Sequence, residues 1–207
     1  MERLTKPKMF LSQKDQMNFD YNLFRDALAE KESTDNYQAV NEGNYLGRYQ
    51  LGAPALIEAG FVKPGTKNKG LNSPKNWIVG SKKEFLNTPE LQEKAMLAYT
   101  QKNFGYAQKL GLINQETTPE EQAAILAGTH LVGVKGFKKA LAGADIQDAN
   151  GVKPQQYYNF MLDRFRQTSP KAFPGDALAA TSYEQQMADN NDLFQNSLRN
   201  MMLGGAP

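Results

Sequence analysis

The sequence predicts a mainly α-helical protein, and three observations carry that expectation. Apolar residues recur at helical spacing through most of the chain, Thr-Pro pairs that open helices stand at 88–89 and 118–119, and strand-like alternation is minor. The first helix is expected from about Asp20, where Phe19, Leu23, Phe24, Ala27 and Leu28 fall on one face. Glycine, asparagine and aromatics crowd residues 41–52, which read as a loop or minimal β-hairpin. Ala53 to Ala59 reads as a short helix stopped by Gly60, and 62–80 as a long surface loop around Trp77. Ser81 with Glu84 suggests a capping box for a short helix carrying Phe85 and Leu86. Thr88-Pro89 opens a long helix to about Leu110. Thr118-Pro119-Glu120-Glu121 opens another, with a glutamate at its third position and the apolar run Ala123 to Ala127. Val134 to Ala142 reads as a separate short helix closed by Gly143. Pro154 to about Gln167 carries Tyr157, Tyr158, Met161, Leu162 and Phe165 at helical spacing. Ser182 to Leu203 reads as an amphipathic helix with Met187, Phe194, Leu198 and Met201. No internal repeat is visible.

Composition narrows the function classes. The 207 residues suit one domain of ordinary size, expected over 19–170, with a polar arm at 1–18 and a tail at 171–207. A net charge of +2 is too small to imply a nucleic-acid partner. The chain has no cysteine, which removes disulfides, thiolate metal sites and cysteine nucleophiles together. It has one histidine, so a multi-histidine metal centre is excluded, and no Gly-rich phosphate loop is present. Neither a cofactor nor a metal is expected. Asp145, Asp148, Asn150 and Gly151 hint at a calcium loop, but the ligand spacing is wrong and a surface turn is the expectation. Lys67, Lys69, Lys75, Lys82 and Lys83 form a basic stretch, read as a solvated loop. No run approaches the roughly 20 apolar residues of a membrane span. The opening Met1-Glu2-Arg3-Leu4-Thr5-Lys6-Pro7 lacks the apolar stretch of a signal peptide.

Two segments could carry chemistry. In Ala29-Glu30-Lys31-Glu32-Ser33, Glu32 lies one turn beyond Leu28, at the helix end and on the flank of its apolar face. Partial desolvation helps a carboxyl keep its proton, as a general acid must. Ser33 stands ready to hydrogen-bond that carboxyl or a ligand. Alone, Glu32 reads equally as a solvated glutamate where a helix frays. The second segment is Gly43-Asn44-Tyr45-Leu46-Gly47-Arg48-Tyr49-Gln50-Leu51-Gly52. Tyrosine faces stack on sugar rings, and amide side chains both donate to and accept from hydroxyl and N-acetyl groups. A hairpin with core tyrosines is the competing account.

Together the segments resemble the lysozyme-like superfamily, in its lytic transglycosylase (SLT-type) and phage peptidoglycan-hydrolase branch. The shared pattern is Glu32-Ser33 at a helix end, a short polar loop, then Gly47-Arg48-Tyr49-Gln50 leading into a small helix. The resemblance covers roughly residues 20–165. It implies a goose-type helical domain, Glu32 as acid/base, and a glycan groove lined by Ser33, Tyr45, Gly47, Tyr49 and Gln50. A third motif, Tyr-Asn-x-Gly, aligns on Gly133 and puts His130 in place of the tyrosine and Leu131 in place of the asparagine. His130 then holds the carboxyl or substrate; as a lone core histidine it would instead cap a backbone carbonyl. The implied activity is cleavage of the MurNAc-GlcNAc bond of bacterial peptidoglycan in the periplasmic wall. The absent signal peptide suits a phage endolysin, a wall-piercing virion protein or a bacterial enzyme with its own export route; the polar tail and Met-rich C-terminal helix favour a phage-borne virion protein attached to other virion proteins through that helix. Two alternatives stand beside it. One is a hydrolysing muramidase with Asp35 or Glu42 as second carboxylate; the other is a non-catalytic wall-binding or virion protein on the same scaffold.

Overall fold

Asp20 starts the first helix by accepting the Asn22 and Leu23 N–H groups at 2.9 and 3.1 Å. The structure, a computed structural model, describes residues 17–168, and its helices are α1 (Tyr21–Ser33), α2 (Ala53–Glu58), α3 (Lys82–Asn87), α4 (Pro89–Lys109), α5 (Pro119–Leu141) and α6 (Pro154–Thr168). The mainly α class expected from the sequence is what these residues form. α1 buries Phe24, Ala27, Leu28 and Ala29, the face its spacing marks out. Strand pairing is confined, among the described residues, to the antiparallel bridges Val40–Leu46, Leu46–Leu51 and Val62–Trp77. Among the described residues no helix is long and apolar enough to cross a membrane. The expected Ser182–Leu203 helix and residues 1–16 of the expected arm lie outside the described residues. Met17 and Asn18 belong to the packed body: Met17 lies against the core, and the Asn18 N–H reaches Gln122 Oε1 at 3.3 Å.

Thr118 and Glu121 close a full capping box at the head of α5, each bonding the other's backbone N–H. Gly133 then breaks the helix with φ 69° and ψ 163°, so the short helix expected from Val134 is the second arm of a kinked one. The kink folds Phe137 back across Gly128. A Cβ at Gly128 would sit 2.4 Å from the Phe137 ring, which in turn stacks on Tyr158 of α6 with centroids 6.1 Å apart. Gly128→Ala is therefore expected to cost about 1–3 kcal/mol by overpacking. Gly105→Ala in α4, where the new methyl meets nothing within 4 Å, is expected to be neutral or stabilising. Urea denaturation of the two variants checks the contrast.

Residues 62–80 are not the open loop expected. They form two 3₁₀ turns, Asn68–Asn72 and Pro74–Asn76, and bury Leu71 and Trp77. The indole N–H donates to the Leu71 carbonyl at 2.8 Å and the ring packs on Phe85 at 5.5 Å. Polar composition hid a segment wrapped round one large aromatic, whose area is too great to leave in water.

Candidate active site

Glu32 occupies the last turn of α1, and the chain leaves that turn under strain. Thr34 and Asp35 both take left-handed backbone angles, φ 55° and 64°, costly for residues with a Cβ and most so for β-branched threonine. Their N–H groups close the helix onto the Glu30 and Ala29 carbonyls at 3.1 Å each. The turn sends the Asp35 carboxylate to Arg48 Nε at 2.5 Å.

Ser33 holds this end against the glycine-punctuated loop. Its hydroxyl donates to the Arg48 carbonyl at 2.8 Å and accepts the Asn36 N–H at 2.9 Å. A hydroxyl has one proton, so the 3.5 Å approach to the Ala29 carbonyl is secondary. The loop itself is a tight reversal between Leu46 and Leu51, whose backbones exchange bonds at 3.1 and 3.0 Å. Gly47 makes it possible: φ is 72°, and a Cβ there would lie 1.9 Å from Gln92 Oε1. Gln50 also has positive φ, 44°, and its side-chain amide donates to the Gly47 carbonyl at 2.9 Å.

The Glu32 carboxyl is nearly enclosed, with its side chain 12% exposed. His130 Nε2 of α5 lies 3.4 Å from Glu32 Oε1 and 3.1 Å from the Tyr49 carbonyl. From α6 Tyr157 comes up beside the same carboxyl. Burial first, then the charge and hydrogen bond of Glu32, push that phenol well above its ordinary value, so it stays a donor. Lys31 lies 4.8 Å over the rings of both Tyr157 and Phe160, and Arg164 pairs with Glu30, so α6 clamps the end of α1. A histidine nitrogen and a tyrosine thus flank one almost buried carboxyl.

Not every expected site residue faces a groove. The Ser33 hydroxyl is spent on backbone groups, and Gly47 serves the bend of the loop. The Tyr49 ring is fully buried and its hydroxyl donates to Glu93, so only its backbone carbonyl bears on the site. This corrects the expectation of a sugar-stacking tyrosine. Its face is too large and too near the core to remain in water. Tyr45 is exposed, its ring lying against Gly43 and Gly52, where a Cβ would come within 2.9 and 2.8 Å. Gln50 is half-buried. Asp148 accepts the Asn150 and Val152 N–H groups, forming the expected turn.

A network that no motif signals supports the loop from below. Arg48, with its side chain 9% exposed, reaches Asp26 at 2.9 Å and Glu93 at 3.0 Å besides Asp35. Glu93 of α4 also accepts from the Tyr37 and Tyr49 hydroxyls, each at 2.7 Å, and from Arg25 at 2.9 Å. Burial alone would raise the Glu93 carboxyl, but the hydrogen bonds from Tyr37, Tyr49 and Arg48 outweigh it and hold the group below its ordinary value. A depressed carboxylate stabilises the fold above the unfolded value and loses that contribution as pH falls through the folded one. The melting difference between wild type and Glu93→Gln is thus expected to be full at neutral pH and to close below about 4.5, the ordinary value. Thermal melts from pH 7 to pH 3 measure it; a gap independent of pH would contradict the assignment.

A cavity of about 540 Å³ lies elsewhere, lined by Met17, Leu23, Pro119 and Phe165. Leu23 and Glu32 stand at opposite ends of α1, roughly 13 Å apart along its axis at 1.5 Å per residue, so this cavity is separate from the carboxyl. Among the described residues no group of three His, Cys, Asp or Glu could hold a metal ion. No protein-family model, curated protein or solved structure matches this chain. Function therefore rests on the site.

Proposed function

We propose that this protein is a lysozyme-like lytic transglycosylase that cleaves the MurNAc-GlcNAc bond of peptidoglycan, with Glu32 as acid and base. One observation carries the reading: Glu32 is a nearly buried carboxyl at a helix end, flanked by Tyr157 and by His130 Nε2 at 3.4 Å, beside a glycine-bent loop pinned to the same helix. An enclosed acid held among fixed polar groups suits proton transfer to a leaving oxygen.

In this mechanism protonated Glu32 gives its proton to the oxygen leaving muramyl C1, while the substrate's N-acetyl group assists from the ring. The resulting carboxylate takes the proton of the muramyl C6 hydroxyl, whose oxygen then bonds C1. The chain ends in a 1,6-anhydro ring, no water is consumed, and Glu32 regains its proton. Hydrolysis by two carboxylates is the competing reaction. Against it, Asp35 is tied to Arg48 at 2.5 Å and Glu42 is exposed on the loop.

The reading extends to a phage-borne protein acting on the periplasmic wall. Electrophoresis in a gel cast with purified wall tests for catalysis: a clear band at the position of this chain is expected. Binding to wall without clearing would make the protein a non-catalytic binder on the same scaffold.

A further inference from the structure

We infer that His130 is a positioning residue for Glu32, its Nε2–H shared between the Tyr49 carbonyl and the Glu32 carboxyl so that one imidazole ties the acid to the glycine-bent loop. The inference deepens the proposed reading of Glu32 and rests on it. A backbone carbonyl can only accept, so the ring nitrogen 3.1 Å from the Tyr49 oxygen must carry a proton. That makes Nε2 the donor, while Nδ1 is buried without a hydrogen-bond partner. Glu32 Oε1 lies 3.4 Å from the same nitrogen, past the ordinary hydrogen-bond range, as the second acceptor of a three-centre arrangement. The imidazole has little freedom to move elsewhere. Its side chain is 6% exposed and the Tyr99 ring meets it edge-on at 5.9 Å.

The sharing responds to the charge on Glu32. An ionised acceptor draws an N–H closer and binds it more strongly than a neutral carbonyl does. When Glu32 has given up its proton, the imidazole N–H turns to the carboxylate. When the proton returns, the N–H goes back to Tyr49. The donor is in place before charge develops, so the site need not reorganise. The loop carbonyls of Arg48 and Tyr49 are then pinned by Ser33 and His130, which fixes the loop relative to the acid.

Three variants of the full chain and one spectroscopic measurement test this. His130→Phe keeps a ring without a donor and is expected to lower kcat on soluble glycan chains about 10- to 100-fold with KM little changed. His130→Gln, whose amide nitrogen reaches the place of Nε2, should recover most of the loss; His130→Asn, too short, should not. In ¹⁵N spectra of the wild type the proton should sit on Nε2, and its resonance should move in Glu32→Gln. A folded His130→Phe protein with wild-type kcat, or an Nε2 that carries no proton, overturns the inference. Should the phenylalanine variant fail to fold, the glutamine variant and the spectra still decide. The spectra need no turnover, so a protein that cleaves no wall but shows the Glu32-sensitive Nε2–H would sink the enzymatic reading and leave the contact standing.

Discussion

Glu32→Gln is expected to leave a folded protein that no longer clears cell wall. The amide preserves the shape of the carboxyl, but it has no proton to transfer and cannot act as base afterwards. Removing a positioned acid or base lowers rates about 10²- to 10⁴-fold, and in the proposed mechanism one group performs both steps, which puts the expectation at the upper end. Turbidity clearance of purified sacculi, with a melting curve on the same sample, measures it. Residual activity above a tenth of wild type in a folded variant would mean that another group protonates the leaving oxygen.

The second large effect concerns stability. Arg48→Met removes the cation that pairs with Asp35 and takes one donor from Glu93. Breaking a buried ion pair by deleting one partner costs about 3–5 kcal/mol. Asp26 and Asp35, 53% and 61% exposed, can rehydrate and reduce that cost. Roughly 2–3 kcal/mol remains, a melting point about 5–10 °C lower for a domain of this size. The strained Thr34-Asp35 turn adds to it, since Asp35 then loses the contact that helps hold its left-handed backbone. Asp26→Asn should cost far less, because the aspartate is open to water. Equal melting points for the two variants would show that the network contributes little.

Much of this fold is legible from the chain, for a local reason. Helix starts are written in short segments: Asp20, Ser81 and Thr118 each cap the helix that begins after them, and Pro89, Pro119 and Pro154 stand at the first helical positions. The kink at Gly133 falls where the sequence separates two helices. Long-range partners are another matter. Tyr157 falls on the apolar face of α6 with Tyr158 and Met161, and nothing in that periodicity distinguishes a phenol beside Glu32 from a core ring. Glu93, in the first turns of α4, looks like a solvent-facing charge until the fold brings Tyr37, Arg48 and Tyr49 onto it. Motifs mark the segments of the site but not the division of labour within them. Tyr49 offers its carbonyl where the sequence suggested its ring. Ser33 and Gly47 build the loop rather than present groups to a ligand. His130 sits between the two readings of the sequence, since its imidazole meets both a backbone carbonyl and the carboxyl.

A single enclosed carboxyl that acts without a second one leaves a direct record in its products. Purified sacculi digested by the full chain and analysed by mass spectrometry should give muropeptides ending in 1,6-anhydromuramic acid, and none of these should form with Glu32→Gln. Muropeptides with free reducing muramic acid ends would show that water was the nucleophile, that a second carboxylate serves the site, and that the transglycosylase mechanism is wrong.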